Sequence, residues 1–184
     1  DAVELSYTQQ ELLQKCDNAI QTVATYADNV KGEETDGVSY LAQLAKIYTE
    51  IEALPSDASQ EKLDELSGKI DTILTAAEAK EKEYAKAYYE LLTAIETEGI
   101  KKTAAQTTID GLSALVQSTY QTQFDGITPS SYTEEDLETF HNDPTKAEEA
   151  LGKVKNNIES YQNIIEKAPA EDQNAKDAQD ALKT

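Results

Sequence analysis

Several residue types on which catalysis and nucleic-acid recognition depend are scarce or missing from this chain of 184 residues. It has one histidine, one cysteine, and no tryptophan or methionine. All 16 of its basic residues are lysines, so arginine is absent as well. Each gap excludes something. Arginine is the side chain that grips phosphate bidentately and reads guanine, and without it a net charge of -20 argues against any nucleic-acid partner. The same charge repels anionic lipid surfaces, and no apolar run is long enough to span a bilayer. A lone cysteine cannot form an internal disulfide. With no methionine at its start or elsewhere, the chain is expected to be a mature or excised segment, which favours an exported protein.

What is present is helix-forming. Apolar residues make up 39% and charged residues 28% of the chain, with 7 glycines and 4 prolines, a balance suited to a soluble helical protein. No stretch of five or more residues alternates with the period of a strand. The first helix is expected to open with a capping box at Thr8-Gln9-Gln10-Glu11, bury Leu12, Cys16, Ala19, Ile20, Val23, Ala27 and Val30, and end at Gly32. A polar loop from Glu33 to Gly37 leads to a second helix, with Tyr40, Leu44, Ile47, Tyr48 and Ile51 inward, stopped by Pro55.

The third helix is predicted to run uninterrupted from Ser59 to Glu98, capped by Gly99, which is about 60 Å of helix. Leu63, Ile70, Ala77, Tyr84 and Leu91 recur in it every seventh residue. Lys80 and Glu81 interrupt that seam and are expected to mark a junction between packing units. A fourth helix carries Ile109 to Phe124, and a short one runs from Thr133 to Phe140. A fifth opens at Pro144 and closes at Pro169. Tyr7-Thr8-Gln9-Gln10-Glu11-Leu12 echoes Tyr132-Thr133-Glu134-Glu135-Asp136-Leu137, a pattern that either duplication or convergent capping produces.

The expected fold is therefore all-α: an elongated antiparallel bundle organised around one long central helix, or two three-helix units sharing it. The sub-units would be 1–80 and 81–168, joined through helix 59–98, with 169–184 a tail that docks or frays.

No catalytic residue, metal site or cofactor is expected. Glu138 and His141 form one Glu-x-x-His pair, but a di-iron bundle needs two. His141 reads as a loop residue beside Asn142, Asp143 and Pro144. Cys16 falls on a core stripe, where a thiol packs as a hydrophobe and stays protonated. The carboxylates read as solvated, none sitting in an apolar stretch that would raise its pKa. The acidic loops Glu33 to Asp36 and Glu134 to Asp136 could attract calcium but lack the ligand pattern of an EF-hand. Ten tyrosines against two phenylalanines are the remaining functional cue. Most fall on core stripes; Tyr84, Tyr88 and Tyr89 form a candidate interaction surface for a protein or carbohydrate.

From Ser39 onward the chain resembles the FIVAR-type helical modules of bacterial surface and secreted proteins. The residues that carry the likeness are Ser39-Tyr40, Leu44, Tyr48 and Leu54, the turn Asp57-Ala58-Ser59-Gln60-Glu61, then Leu63-Asp64 and Ile70. They cover about a third of the chain. Tyrosine stands where tryptophan is common, and the inter-helix turn is shorter than usual. The resemblance implies a small bundle used as a spacer or adhesion module, with no catalytic residues to carry over. Together with the long heptad helix, the acidic surface and the missing catalytic residue types, the leading expectation is a non-catalytic module of an exported bacterial surface protein with a protein, cell-envelope or host macromolecule as partner. The competing expectation is an intracellular scaffold that oligomerises through the heptad seam of the long helix.

Overall fold

The computed structural model describes residues 7–32, 34–35 and 38–184. The fold is all-α, and the chain divides into two compact units, Asp1–Lys86 and Ala87–Thr184. In the first, α1 (Tyr7–Ala24), α2 (Asp28–Lys31), α3 (Tyr40–Glu52) and α4 (Gln60–Tyr84) follow in order, with a two-residue antiparallel ladder of β1 (Glu34–Thr35) and β2 (Val38–Ser39) before α3. In the second come α5 (Lys86–Asp110), whose first residue belongs to the first unit, α6 (Gln117–Asp125), α7 (Glu134–Asn142) and α8 (Pro144–Ala181).

The first unit is a three-helix bundle of α1, α3 and α4, as the apolar periodicity dictates. Leu12, Cys16, Ala19 and Val23 from α1, Leu44, Ile47 and Ile51 from α3, and Leu63, Leu66, Ile70 and Ala77 from α4 form one buried cluster. The two later helices open on serine caps, Ser39 accepting from the Ala42 N–H and Ser59 from the Lys62 N–H, each at 3.1 Å, which satisfies first-turn amides that have no intrahelical partner.

Where the structure departs from the expected boundaries, a particular side chain explains it. Helix α1 already runs from Tyr7, so Thr8 lies inside its first turn, and Gln9, fully buried, donates instead to the Pro55 carbonyl at 2.6 Å. The supposed echo between Thr8 and Thr133 therefore joins an in-helix residue to a true cap. The first helix also stops at Ala24, and Glu81 accepts from the Ala27 N–H at 3.0 Å just before α2. The polar break in the heptad seam is thus a loop anchor inside the first unit. The long helix is divided at Ala85, whose φ of -98° and ψ of 21° leave the helical region. Glu33 and Asp36, the two ends of the first acidic loop weighed for calcium, lie outside the described residues.

Gly99 does not cap anything. Helix α5 continues through it to Asp110, because Leu91, Ala94, Glu98, Ala105 and Ile109 are buried on both sides of it, and that packing outweighs the roughly 0.5–1 kcal/mol that an interior glycine forfeits. Ile109 accordingly lies in the last turn of α5, and α6 begins only at Gln117. Pro169 likewise sits inside α8. Its missing N–H and ring clash weaken the helix, yet the next turn is held in place: Asp172, 5% exposed, accepts from the Ser113 N–H at 3.2 Å and from the Ser113 hydroxyl, and pairs with Lys176 at 3.1 Å. Tyr120 bonds Glu171 beside it, and burial together with that carboxylate pushes the phenol up to about 12. The start of the expected tail therefore docks, while residues 176–184 are all exposed.

The second unit has two apolar clusters, one around Leu91, Ala94, Leu151 and Val154, the other around Ala105, Ile109, Tyr161 and Ile164. Tyr161 is fully buried and its hydroxyl meets no hydrogen-bond partner among the described residues. Removing an unsatisfied buried polar group is favourable, so Tyr161→Phe is expected to raise unfolding stability, or leave it unchanged, within about 1 kcal/mol in urea titrations; a loss of more than that shows that the hydroxyl is bonded. The Ser113 contacts hold the Asp172 carboxyl below its ordinary value. Its contribution is then complete above the unfolded-state value and disappears as pH falls through the lower folded one. Asp172→Asn should destabilise the protein at about pH 6, and that deficit relative to wild type should shrink as pH falls below the ordinary aspartate value and through the lower folded one, as read from melting temperatures across the range.

Candidate functional site

The side chains that could carry chemistry in this chain are its carboxylates, hydroxyl groups and lysine amines, together with His141 and Cys16. The expectation that the carboxylates are uniformly solvated is corrected by the structure. Among the described residues the buried polar side chains are Gln9, Glu81, Glu98 and Asp172. What the sequence hid is that each sits on a helix yet serves a connection elsewhere in the same unit.

Glu98 is the most developed case. It is 4% exposed, and its Oε2 accepts from the Ser130 N–H at 2.9 Å while Oε1 accepts from the Ser130 hydroxyl at 2.6 Å and from Asn157 Nδ2 at 3.1 Å. Asn157 also donates to the Thr128 carbonyl at 2.9 Å. A carboxylate on α5, an amide on α8 and the Thr128-Pro129-Ser130 loop are thereby locked together between the two apolar clusters. Burial, and after it the Glu98 charge, raise the phenol pKa of both Tyr132 and Tyr161. These partners consume three of the four lone-pair positions of Glu98 with neutral donors, which fits it for holding a loop.

Cys16 is wholly buried, its thiol directed at the Leu44 carbonyl at 3.3 Å, and burial raises its pKa. That environment disfavours the reactive thiolate. His141 is not in a loop. It lies in the last turn of α7, where its ring stacks on Tyr88 with centroids 4.3 Å apart and planes 9° from parallel. Of the second acidic segment, Asp136 closes the capping box of α7 with Thr133. Among the described residues no group of three or more His, Cys, Asp or Glu side chains could hold a metal ion.

Of the three tyrosines in the expected interaction surface, Tyr84 ends α4 in the first unit and is half-buried. Tyr88 and Tyr89 stand on α5 in the second, their rings edge-to-face at 5.2 Å, with His141 6.0 Å from Tyr89. Consecutive residues point about 100° apart on a helix, and this places Tyr88 over α7 and leaves Tyr89 40% exposed. Sequence reasoning missed His141 as the third ring, because α7 had to be folded against α5 before the two could meet.

Tyr89 is also at one end of an open depression of about 560 Å³ between α5 and α8, lined chiefly by Thr93, Ala94, Thr97, Lys155 and Ile158. The hydroxyls of Thr93 and Thr97 donate back to the carbonyls of Tyr89 and Thr93, at 3.4 and 3.0 Å. Those hydroxyls are thereby engaged by the helix's own backbone. The result is a shallow, weakly apolar trough with an aromatic rim and an exposed lysine opposite, suited to surface contact.

If Glu98 is an anchor for the loop, replacing one of its oxygens by an NH2 group sets a donor against donors. Glu98→Gln should then lower stability by about 1–3 kcal/mol, whereas Glu96→Gln, exposed two residues earlier, should stay within about 0.5 kcal/mol; equal effects of the two in denaturant titrations would contradict the anchoring role. No family model matches the chain, and no curated protein or solved structure matches it either.

Proposed function

We propose that this chain is a non-catalytic interaction module of an exported bacterial surface protein, of the FIVAR-like kind, which spaces and presents a binding surface to a protein or cell-envelope or host macromolecule. The observation that carries the reading is the Tyr88, Tyr89 and His141 cluster at the rim of the trough between α5 and α8. Exposed tyrosine is the residue type that binding surfaces favour, since it offers a large rigid contact at low entropic cost. The buried carboxylates support the same reading from the other side, because their lone pairs are occupied by loop backbones and neighbouring side chains.

The scaffold alternative requires a heptad seam free to meet another chain. Leu63, Ile70, Ala77 and Leu91 are buried within their own units, so a lysine at Ile70 or Leu91 would unfold a unit before it could dissociate an oligomer.

Immobilised protein exposed to host-surface and cell-envelope extracts tests the proposal. The wild type should retain a saturable ligand, and Tyr89→Ala should weaken that retention about ten-fold or more, equivalent to roughly 1.4 kcal/mol. Leu115→Ala, at an exposed apolar position between α5 and α6, serves as the control and should leave it unchanged. Retention that survives Tyr89→Ala undiminished places the binding surface elsewhere, and no retention by the wild type leaves a spacer alone.

A further inference from the structure

Helices α1 and α4 of the first unit run side by side in the same direction: Lys15 meets Ser67 and Asp71, and Ala27, just beyond α1, meets Glu81. Lys15 spans the groove between the two helices. Its ammonium donates to the Ser67 hydroxyl at 2.7 Å and pairs with Asp71 at 2.9 Å. The separation of 56 positions between Lys15 and Asp71 is also that between Thr8 and Asp64, and the 52 between Lys15 and Ser67 recur between Thr8 and Gln60. Seven residues make about two full turns of helix, so Thr8 stands to Gln60 and Asp64 as Lys15 stands to its own two partners. A threonine is too short to cross the groove as a lysine does.

At this place is a cavity of about 180 Å³, lined by Thr8, Gln60, Asp64 and Glu11 together with the buried Leu12 and Leu63, and bordered by Lys15 and Ser67. Its carboxylates meet no cation among the described residues. Asp64 accepts from Gln60 Nε2 at 2.9 Å, which leaves its charge uncompensated. Glu11 has no ion pair, the lysine one turn on from it being engaged by Asp71 and Ser67. Two carboxylates repel an anion, and no group of His, Cys, Asp or Glu side chains that could hold a metal ion forms among the described residues. An apolar floor beneath acidic walls suits a cation carried on an aliphatic stem, which buries its methylenes and keeps its charge at the polar rim.

We infer that this cavity binds a primary alkylammonium group, with the stem on Leu12 and Leu63 and the charge between Asp64 and Glu11, in the manner in which Asp71 and Ser67 hold Lys15. The group is supplied by a lysine side chain of another polypeptide or by a free aliphatic amine. A chain of net charge -20 concentrates either of them at its surface. The site belongs to the first unit and is independent of the aromatic cluster on the second.

Lys15 also suggests the test, since a second lysine supplied from within the chain should exclude one from outside. Isotope-labelled protein is titrated with n-butylammonium and with Nα-acetyl-lysine methylamide in about 0.15 M salt, which screens non-specific attraction, and amide chemical shifts are followed by NMR. Saturable shifts should centre on Thr8, Glu11, Gln60 and Asp64. Asp64→Asn should weaken binding about ten-fold, and Thr8→Lys, which places an ammonium against Asp64, should abolish it. Thr49→Lys makes the same charge change at an exposed position of α3 and should leave binding as in the wild type. All three positions altered are exposed, and circular dichroism checks that each variant is folded. Tighter binding of the lysine amide assigns the source to a polypeptide, and tighter binding of butylammonium to a free amine. Shifts spread over the acidic surface without saturating, or binding undiminished in Thr8→Lys, would overturn the site.

Discussion

The constraint on which the rest of the fold depends is how this protein closes its connections. Helical bundles bury apolar stripes easily, but every loop that lies against a bundle brings backbone N–H and C=O groups that lose water. Here a polar side chain from a helix meets four of the described connections: Gln9 takes the Pro55 carbonyl, Glu81 the Ala27 N–H, Glu98 the Ser130 N–H, and Asp172 the Ser113 N–H. A single rule thus operates in both units. A carboxylate that accepts from amides and hydroxyls makes charge-assisted bonds stronger than neutral ones, and in a chain without arginine those donors replace the guanidinium partners that usually accompany a buried acid.

This arrangement also explains why the helix boundaries fall where they do. Glu81 draws the chain after α1 into a turn, which separates α2 from it; Asp172 holds the residues beyond Pro169 in register; Glu98 is buried one position before Gly99 and carries α5 past a residue that would otherwise be a natural end. At Gly99 and Pro169 a tertiary bond overrides a local stop signal, while at Glu81 one accompanies the end of a helix that the apolar stripe would have continued. Surface ion pairs such as Lys15 with Asp71 at 2.9 Å are solvated and contribute little by comparison.

Much of the architecture was legible in the sequence. The apolar stripes of α1, α3 and α4, the stop at Pro55, the start near Ser59, the capped start of α7 at Thr133 and the opening of α8 at Pro144 all rest on local periodicity or cap chemistry, and a local pattern can be read without knowing what it packs against. Gly99, Pro169, Glu81 and Glu98 could not be read that way. A glutamate on a solvated face and one that reaches a loop some 30 residues away are the same letter with the same neighbours. The candidate surface divided along the same line: Tyr88 and Tyr89 stood out by their adjacency, while His141, some 50 positions downstream, joined them only through the packing of α7.

The exposed apolar residues follow from this division of labour. Tyr89, Ile100, Leu115 and Leu182 are the large hydrophobics exposed among the described residues, and every one is in the second unit. The first unit buries its apolar residues in one continuous cluster, while the second splits its core about Glu98 into two smaller ones and leaves one side of α5 to solvent. A closed three-helix bundle with a charged exterior is what a spacer needs. A unit that keeps β-branched and aromatic side chains outward gives up some solubility to do so, and under the proposed function that surface is the one that makes contact. Under the proposed function the two halves of the chain therefore carry different tasks, the first holding position and the second making contact.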